Sequence, residues 1–258
     1  MIIDEVKKDY IKALIKEGKR ADGRGFLDYR PISVQTGVIP NAEGSALAHI
    51  GDTKVLAGVK IDFMAPFADR PAEGVVMFNC EFSPMAHPEF EAGPPNESSI
   101  ELARVIDRGV RSAEVIDTKG LGTTGVEGKV FAVFVDLYVL DHNGDLTDAA
   151  GLAAMAALAS TRMPRIENNL FVRTESSGNL KLARKAVPTT FTCFDGTAVI
   201  DASNEEEVAS EGMVTIATTN DGFICAGQKS GRLGLKREKL MELADTALSK
   251  GKEMLKHV

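Results

Sequence analysis

Hydrophobic positions change their spacing several times along the chain, and each change marks an element. Between residues 4 and 17, Val6, Tyr10, Leu14 and either Ile11 or Ile15 recur at helical spacing, and Gly18 ends the run. The segment RADGRG is a turn, followed by strand-like runs PISVQTG, GSALAHI, TKVLAGVKIDF and GVVMFNCEF. Gly51-Asp52, between the second and third, predicts a tight hairpin. Residues 83–95 carry too much Pro and Gly for a central strand or a helix. A polar cap then opens NESSIELARVIDRGVRSAEVI, whose Ile100, Ala103, Ile106, Val110 and Ala113 trace one helical face.

The run KVFAVFVDLYVLD is apolar on both sides, which predicts a strand inside a sheet covered on both faces. The small-residue helix TDAAGLAAMAALAS follows and allows very close packing on a sheet. A polar connector, residues 166–186, leads to a second set of strands: PTTFTCF, TAVIDA, GMVTIATT and GFICAGQ. The closing helix puts Leu240, Met241, Ala244, Ala247, Leu248 and Leu255 on one face. The pattern predicts an α+β chain of two similar lobes: a helix over 1–19, a first lobe over 20–165, the connector, and a second lobe over 187–258.

Composition narrows the functional classes. The 258 residues carry 30 basic and 37 acidic side chains, a net charge of −7, which argues against coating nucleic acid by bulk charge but allows a local basic stripe. Cys80, Cys193 and Cys225 are odd in number, widely spaced and set among β-prone neighbours. They read as core or strand residues in a reducing compartment, not as a disulfide or zinc framework. The N-terminal segment has no apolar leader and no stretch near the ~20 residues needed to span a bilayer, so a cytoplasmic protein without membrane contact is expected.

Three stretches carry candidate chemistry. In DHNGDLTDAAG, a strand-to-helix turn aims free backbone N–H groups outward, where anions bind well. The turn offers Asp145, Leu146, Thr147 and Asp148, however, and carboxylates there repel a phosphate while favouring the helix dipole. Thr147 or Asp145 is the expected cap, with Asp148 in the first turn. Second, Arg104, Arg108 and Arg111 share an arc of one helix face, suited to phosphate contact or, alternatively, to a solvated face paired with Glu97 and Glu101. Third, Asp201, Glu205, Glu206, Glu207 and Glu211 make either an acid or Mg²⁺ site or a charged loop. The histidines His49, His87, His142 and His257 have no local partner pattern, although His87 lies in a Pro-rich loop. LGTTGVEG lacks the Lys-Ser/Thr of a nucleotide cradle and reads as a loop before a strand. No metal and no cofactor is called for.

Several segments in order resemble the RNase PH family: RADGRGFLDYRPI, AEGSALAHIGDTKVLAGVK, NESSIELARVIDRGVRSAEVID, VFVDLYVLDHNGDLTDAAGLAAMAALAS and PTTFTCFDGTAVIDASNEEEVASEGMVTIATT. Within that family the N-terminal helix, GPPNESSIELARVIDRG and the EEE run look like the non-catalytic ring subunit of the archaeal exosome. The resemblance implies two βαβ-type lobes packed together and a hexameric ring of three heterodimers with a catalytic RNase PH-type subunit. It also implies RNA-binding cap proteins and phosphate-dependent RNA degradation from the 3′ end, which runs in reverse to add nucleotides. Active members hold the attacking phosphate with Gly-Ser/Thr-Arg where this chain has Asp145, Leu146 and Thr147. They carry two aspartates six residues apart where this chain has Asp201 and Glu207. The resemblance therefore implies a subunit with no catalytic residues of its own, contacting RNA through Arg104 and Arg108, with Arg111 third, and shaping its partner's active site. An autonomous phosphorolytic exoribonuclease with a substitute basic group, the nearest in sequence being Lys129, and a purely structural ring subunit are the alternatives.

Overall fold

The computed structural model describes the chain from Ile2 to Val258, with side chains from Glu5 onward. Helix α1 (Ile2–Lys16) buries Ile11 and Ile15, one turn apart, and leaves Val6 and Tyr10 exposed. The expected stripe is therefore rotated. What rotates it is tertiary: Ile11 and Ile15 meet Phe194, Val199, Ala202 and Ala209 of the distant C-terminal half.

The first lobe is a five-stranded sheet built from β1 (Ile32–Thr36), β2 (Gly44–Ile50), β3 (Thr53–Met64), β4 (Val75–Phe82) and β5 (Val130–Asp141). Its order is β1-β2-β3-β5-β4. The Gly51-Asp52 hairpin sets Ile50 opposite Thr53. Among the described residues, the β4–β5 pair is parallel and the other pairs are antiparallel. The crossover between β4 and β5 runs through α2 (Glu97–Ser112), capped by Asn96, whose Oδ1 accepts from Ser99 N at 2.9 Å. Helix α2 buries Leu102, Ala103, Ile106 and Val110, while Ile100, expected on that face, is exposed.

Helix α3 (Leu146–Ala159) is buried from Asp148 through Leu158. It packs on β2 and β3 on one side and on β8 of the second lobe on the other. Small residues make this possible: a Cβ on Gly151 would lie 2.3 Å from Pro188 Cδ. Strand β5 lies inside the sheet as expected, and Val133, Val135, Leu137 and Val139 face α3 fully buried. Its other face is only half covered, with Phe134 partly accessible and Tyr138 exposed, so cover on both faces is not complete within one chain.

Residues 166–186 are more structured than a connector suggests. β6 (Arg162–Glu167) and β7 (Leu170–Asn179) form an antiparallel ribbon. The second lobe holds β8 (Ala186–Phe194), β9 (Thr197–Ile200), a short helix α4 (Asn204–Ala209), β10 (Gly212–Thr219) and β11 (Ile224–Gly231), in sheet order β11-β10-β8-β9. Helix α4 takes in Glu205, Glu206 and Glu207 of the acidic stretch, for which a charged loop is one of the two readings, and a reciprocal cap between Ser203 and Glu206 starts it.

The closing helix α5 (Arg237–Met254) buries Leu243, Ala247, Gly251 and Met254, whereas Leu240 and Met241 are exposed. Ala247 is buried as expected, while Leu243, Gly251 and Met254 join it on a face rotated from the expected one. Among the described residues, no helix is long and apolar enough to cross a membrane. All three cysteines are free, on β4, β8 and β11.

Gly151→Ala tests the seating of α3. Alanine gains about 1 kcal/mol of helix propensity, but its methyl group strikes a proline ring held in a strand. With an overpacking cost of about 1–3 kcal/mol, a net loss of up to about 2 kcal/mol is expected in chemical denaturation.

Candidate active site

The turn from β5 into α3 is the candidate anion site, and its backbone is committed elsewhere. Gly144 (φ 84°) passes so close to the second lobe that a Cβ there would lie 2.1 Å from Ala202 O. Asp145 follows in the left-handed region (φ 52°), at the cap position, yet its side chain caps nothing. Thr147 lies inside the helix, so neither expected cap forms. Instead, Asp145 N–H donates to Glu207 Oε1 at 2.7 Å, and Gly144 N–H donates to His142 Nδ1 at 3.2 Å. A carboxyl group of the chain itself occupies a donor that an anion would use.

Asp148 sits in the first turn of α3 as expected, accepting from Tyr29 Oη at 2.8 Å and Thr190 N at 3.1 Å. Both Asp145 carboxyl oxygens are buried without a partner among the described residues. Burial raises the Asp145 carboxyl well above the usual range, and Asp148, Asp201 and Glu207 nearby raise it further. Glu207 is pushed up to about 7, chiefly by burial, against the lowering effects of the Asp145 N–H and Arg30. His142 is pushed down to about 4 by burial, with His87 and Arg30 adding to the effect, so its ring is neutral at physiological pH.

Asp201 and Glu206 are held by arginines that the sequence reading passed over. Asp201 is fully buried and left-handed (φ 47°). Its Oδ1 accepts from Arg30 Nη2 at 2.5 Å and its Oδ2 from Arg24 Nη1 at 2.7 Å. Arg30 also donates to the carbonyl of Asn143 at 2.8 Å, which ties the turn to the same group. Glu206 receives Arg20 Nη2 at 2.6 Å, with both side chains buried. RADGRG reads locally as a turn and, within RADGRGFLDYRPI, as part of the family resemblance, and neither gives its arginines a partner. The signal available was charge matching, with arginines at 20, 24 and 30 and an acidic run at 201–207 in an acidic chain. Glu205 is separate, paired at the surface with Lys7, and Glu211 is exposed. Among the described residues, no His, Cys, Asp or Glu group has a metal-holding arrangement.

A cleft of about 300 Å³ opens above Asp145, Leu146, Thr147 and Glu207. Phe82, Phe90 and His142 form one side, with Phe82 and Phe90 stacked at 4.6 Å and Phe90 and His142 nearly parallel at 5.5 Å. His87 belongs to this aromatic group and contacts Asn204 at 3.1 Å through Nε2. No Lys or Arg is among the lining residues. Lys129 lies before the far end of β5, and Arg30, the basic side chain at the turn, is occupied by Asp201.

The α2 arginines lie exposed beside this cleft, on the helix that contributes Glu101 and Val105 to its lining. Arg108 donates to Gln228 at 2.9 Å, and Arg111 is held by Asp107 at 2.7 Å and by the Val76 carbonyl. Arg104 has no hydrogen bond or ion pair among the described residues. Among the described residues none of the three pairs directly with Glu97 or Glu101, although Gln228 joins Arg108 to Glu101.

The sequence profile of the 3′ exoribonuclease family, domain 1 (RNase PH), matches residues 28–164, and that of domain 2 matches residues 186–250. The chain belongs to the RNase PH family. Its fold is the mixed α/β RNase PH fold with two domains. It is 43% identical to exosome complex component Rrp42 of Pyrococcus abyssi, over 99% of this chain and 94% of that protein. It is 42% identical to the Methanosarcina mazei protein of the same name, over 98% of this chain and 93% of that one. Among solved structures, the Archaeoglobus fulgidus exosome with RNA bound to the active site superposes with a TM-score of 0.92 at 38% identity, covering 99% of both chains. An archaeal exosome core superposes at 0.86 with 36% identity, covering 98% of this chain and 96% of that one.

Two stability measurements test this RNase PH site. Arg20→Met leaves Glu206 buried without its cation and should cost about 3–5 kcal/mol, of which the Arg20→Met/Glu206→Leu double variant recovers most. A carboxyl raised on folding contributes stability below its unfolded value and loses it as pH rises toward its folded value. Glu207→Gln keeps an acceptor for Asp145 N–H and removes that loss. The variant should exceed the parent by roughly 1–3 kcal/mol at pH 8, the difference closing below about pH 4.5.

Proposed function

We propose that this chain is a non-catalytic ring subunit of an archaeal-type exosome, acting in the cytoplasm. On this reading it grips RNA beside the active site of a catalytic RNase PH-type partner. The ring is a hexamer of three such heterodimers, capped by RNA-binding proteins, and shortens RNA from the 3′ end with phosphate. The observation that carries the proposal is Glu207 Oε1 on Asp145 N–H at 2.7 Å. Phosphorolysis needs a phosphate held against the scissile linkage with positive charge facing it. Here the turn presents a carboxyl group, a lining without basic residues, and an Asp201 whose oxygens are already taken by Arg24 and Arg30.

RNA contact is assigned to Arg104 and Arg108. Arg104 is unpaired among the described residues and Arg108 is held only by a neutral amide, so both can be released to phosphates at little cost. Arg111 is the lesser contributor because Asp107 already neutralises it. The high similarity to proteins named as exosome components, and to a chain of an exosome carrying RNA, supports the same reading.

The purified chain should not shorten an RNA oligonucleotide in the presence of phosphate, and activity should appear on adding a catalytic RNase PH-type subunit. Turnover by the isolated chain would overturn the proposal. In the assembled ring, Arg104→Glu with Arg108→Glu should weaken RNA binding at low salt about tenfold or more. It should also flatten the dependence of log affinity on log salt by about 1.4, two single-strand phosphate contacts. Normal assembly with unchanged RNA binding would leave a structural role only.

A further inference from the structure

The cleft above Asp145 has the wrong charge for phosphate, but its lining has other uses. Three planar side chains, Phe82, Phe90 and His142, form one side, and burial keeps the His142 ring neutral. Glu207 stands at the floor, half-buried, with Oε1 fixed by Asp145 N–H and Oε2 without a partner among the described residues. Ser230 of β11 adds a neutral hydroxyl, and the Gln228 amide spans the rim, accepting from Arg108 and donating to Glu101. A volume of about 300 Å³ is at the lower end of small-molecule sites and accommodates a bicyclic heterocycle.

We propose that this cleft binds an uncharged nucleobase, stacked on the Phe90–His142 side and hydrogen-bonded to Glu207. A planar π-face suits the aromatic group whatever the base. A fixed carboxyl group presents an acceptor oxygen beside an oxygen that can carry a proton. That pair complements the adjacent donor and acceptor on the edge of any of the four bases. Nothing in the lining neutralises a phosphate, so the base enters and its phosphates stay outside. A guanidinium or ammonium ligand is the competing class, since Glu101 also lines the cleft, and the test below includes one. This inference concerns the chain by itself and does not depend on the ring proposed above.

The test is titration of the purified full-length chain with adenosine, uridine, ribose 5-phosphate and agmatine, followed by calorimetry and by the NMR resonances of the Phe90 and His142 rings. Adenosine should saturate at millimolar or lower concentration and shift both rings. Uridine, with a smaller stacking area, should bind more weakly, and ribose 5-phosphate and agmatine should not saturate. Phe90→Ala and Glu207→Leu should each weaken adenosine about tenfold, consistent with the loss of one stacking or one buried polar partner. Glu207→Gln, which retains a donor beside an acceptor, should stay within about threefold of the parent and guards against a folding defect in the leucine variant. The inference is overturned if adenosine does not saturate, if it binds without shifting the rings, if Glu207→Gln loses as much as Glu207→Leu, or if agmatine binds more tightly than adenosine.

Discussion

The buried contact of Arg24 and Arg30 with Asp201 sets the geometry of everything around it. Asp201 has no exposure, so its charge must be compensated within the fold. Arg30 supplies that charge while donating to the Asn143 carbonyl, and the N-terminal segment, the β5–α3 turn and the second lobe therefore meet at one group. Arg20 repeats the arrangement with Glu206 a few residues away. The 20–30 segment belongs to the first lobe in sequence, yet its cations belong to the second in function. Two lobes joined this way cannot shift relative to each other without exposing a buried ion, which favours a rigid cleft.

The second constraint is steric. Helix α3 is covered on both sides and carries almost only Ala, Gly, Leu and Met between Asp148 and Leu158. Its N-terminus is therefore fixed to within the tolerance of a packed core. An anion-binding turn needs that rigidity, and here the same rigidity holds Asp145 in a left-handed conformation with its carboxyl buried and unpartnered. Unpartnered burial is costly for an ionised group, and the raised proton affinity of Asp145 and Glu207 is how the site avoids paying it.

Much of the fold was legible because period and punctuation agree. The Gly51-Asp52 hairpin, the Asn96 cap and the alternation in β5 are local signals that tertiary packing did not overrule. The misplaced faces are instructive. Ile100, Leu240 and Met241 were assigned to cores by hydrophobicity, yet the buried sides turn on Leu102, Leu243 and Gly251, of which Gly251 permits close approach. Helix α4 was hidden because three consecutive glutamates look like solvent-facing charge. In the fold, Glu205 does face solvent, while Glu206 and Glu207 turn inward to partners 186 and 62 residues away. The arginines that answer these acids could be found only by matching charge across the whole chain, since no local pattern links position 20 to position 206.

The distribution of charge then gives the site a direction. The floor of the cleft carries carboxyl groups, and the neighbouring rim on α2 carries Arg104 and Arg108. On the RNA contact proposed for Arg104 and Arg108, a strand crossing this surface is attracted at the rim and finds no cation at the floor, and screening over about 8–10 Å makes the two regions separable in space. On the same proposal its phosphates follow α2 and find no partner in the turn, while an uncharged base needs none. A turn that carries carboxyl groups where a phosphate needs cations would then sort the parts of a nucleotide by charge, with the backbone outside and the base free to turn inward.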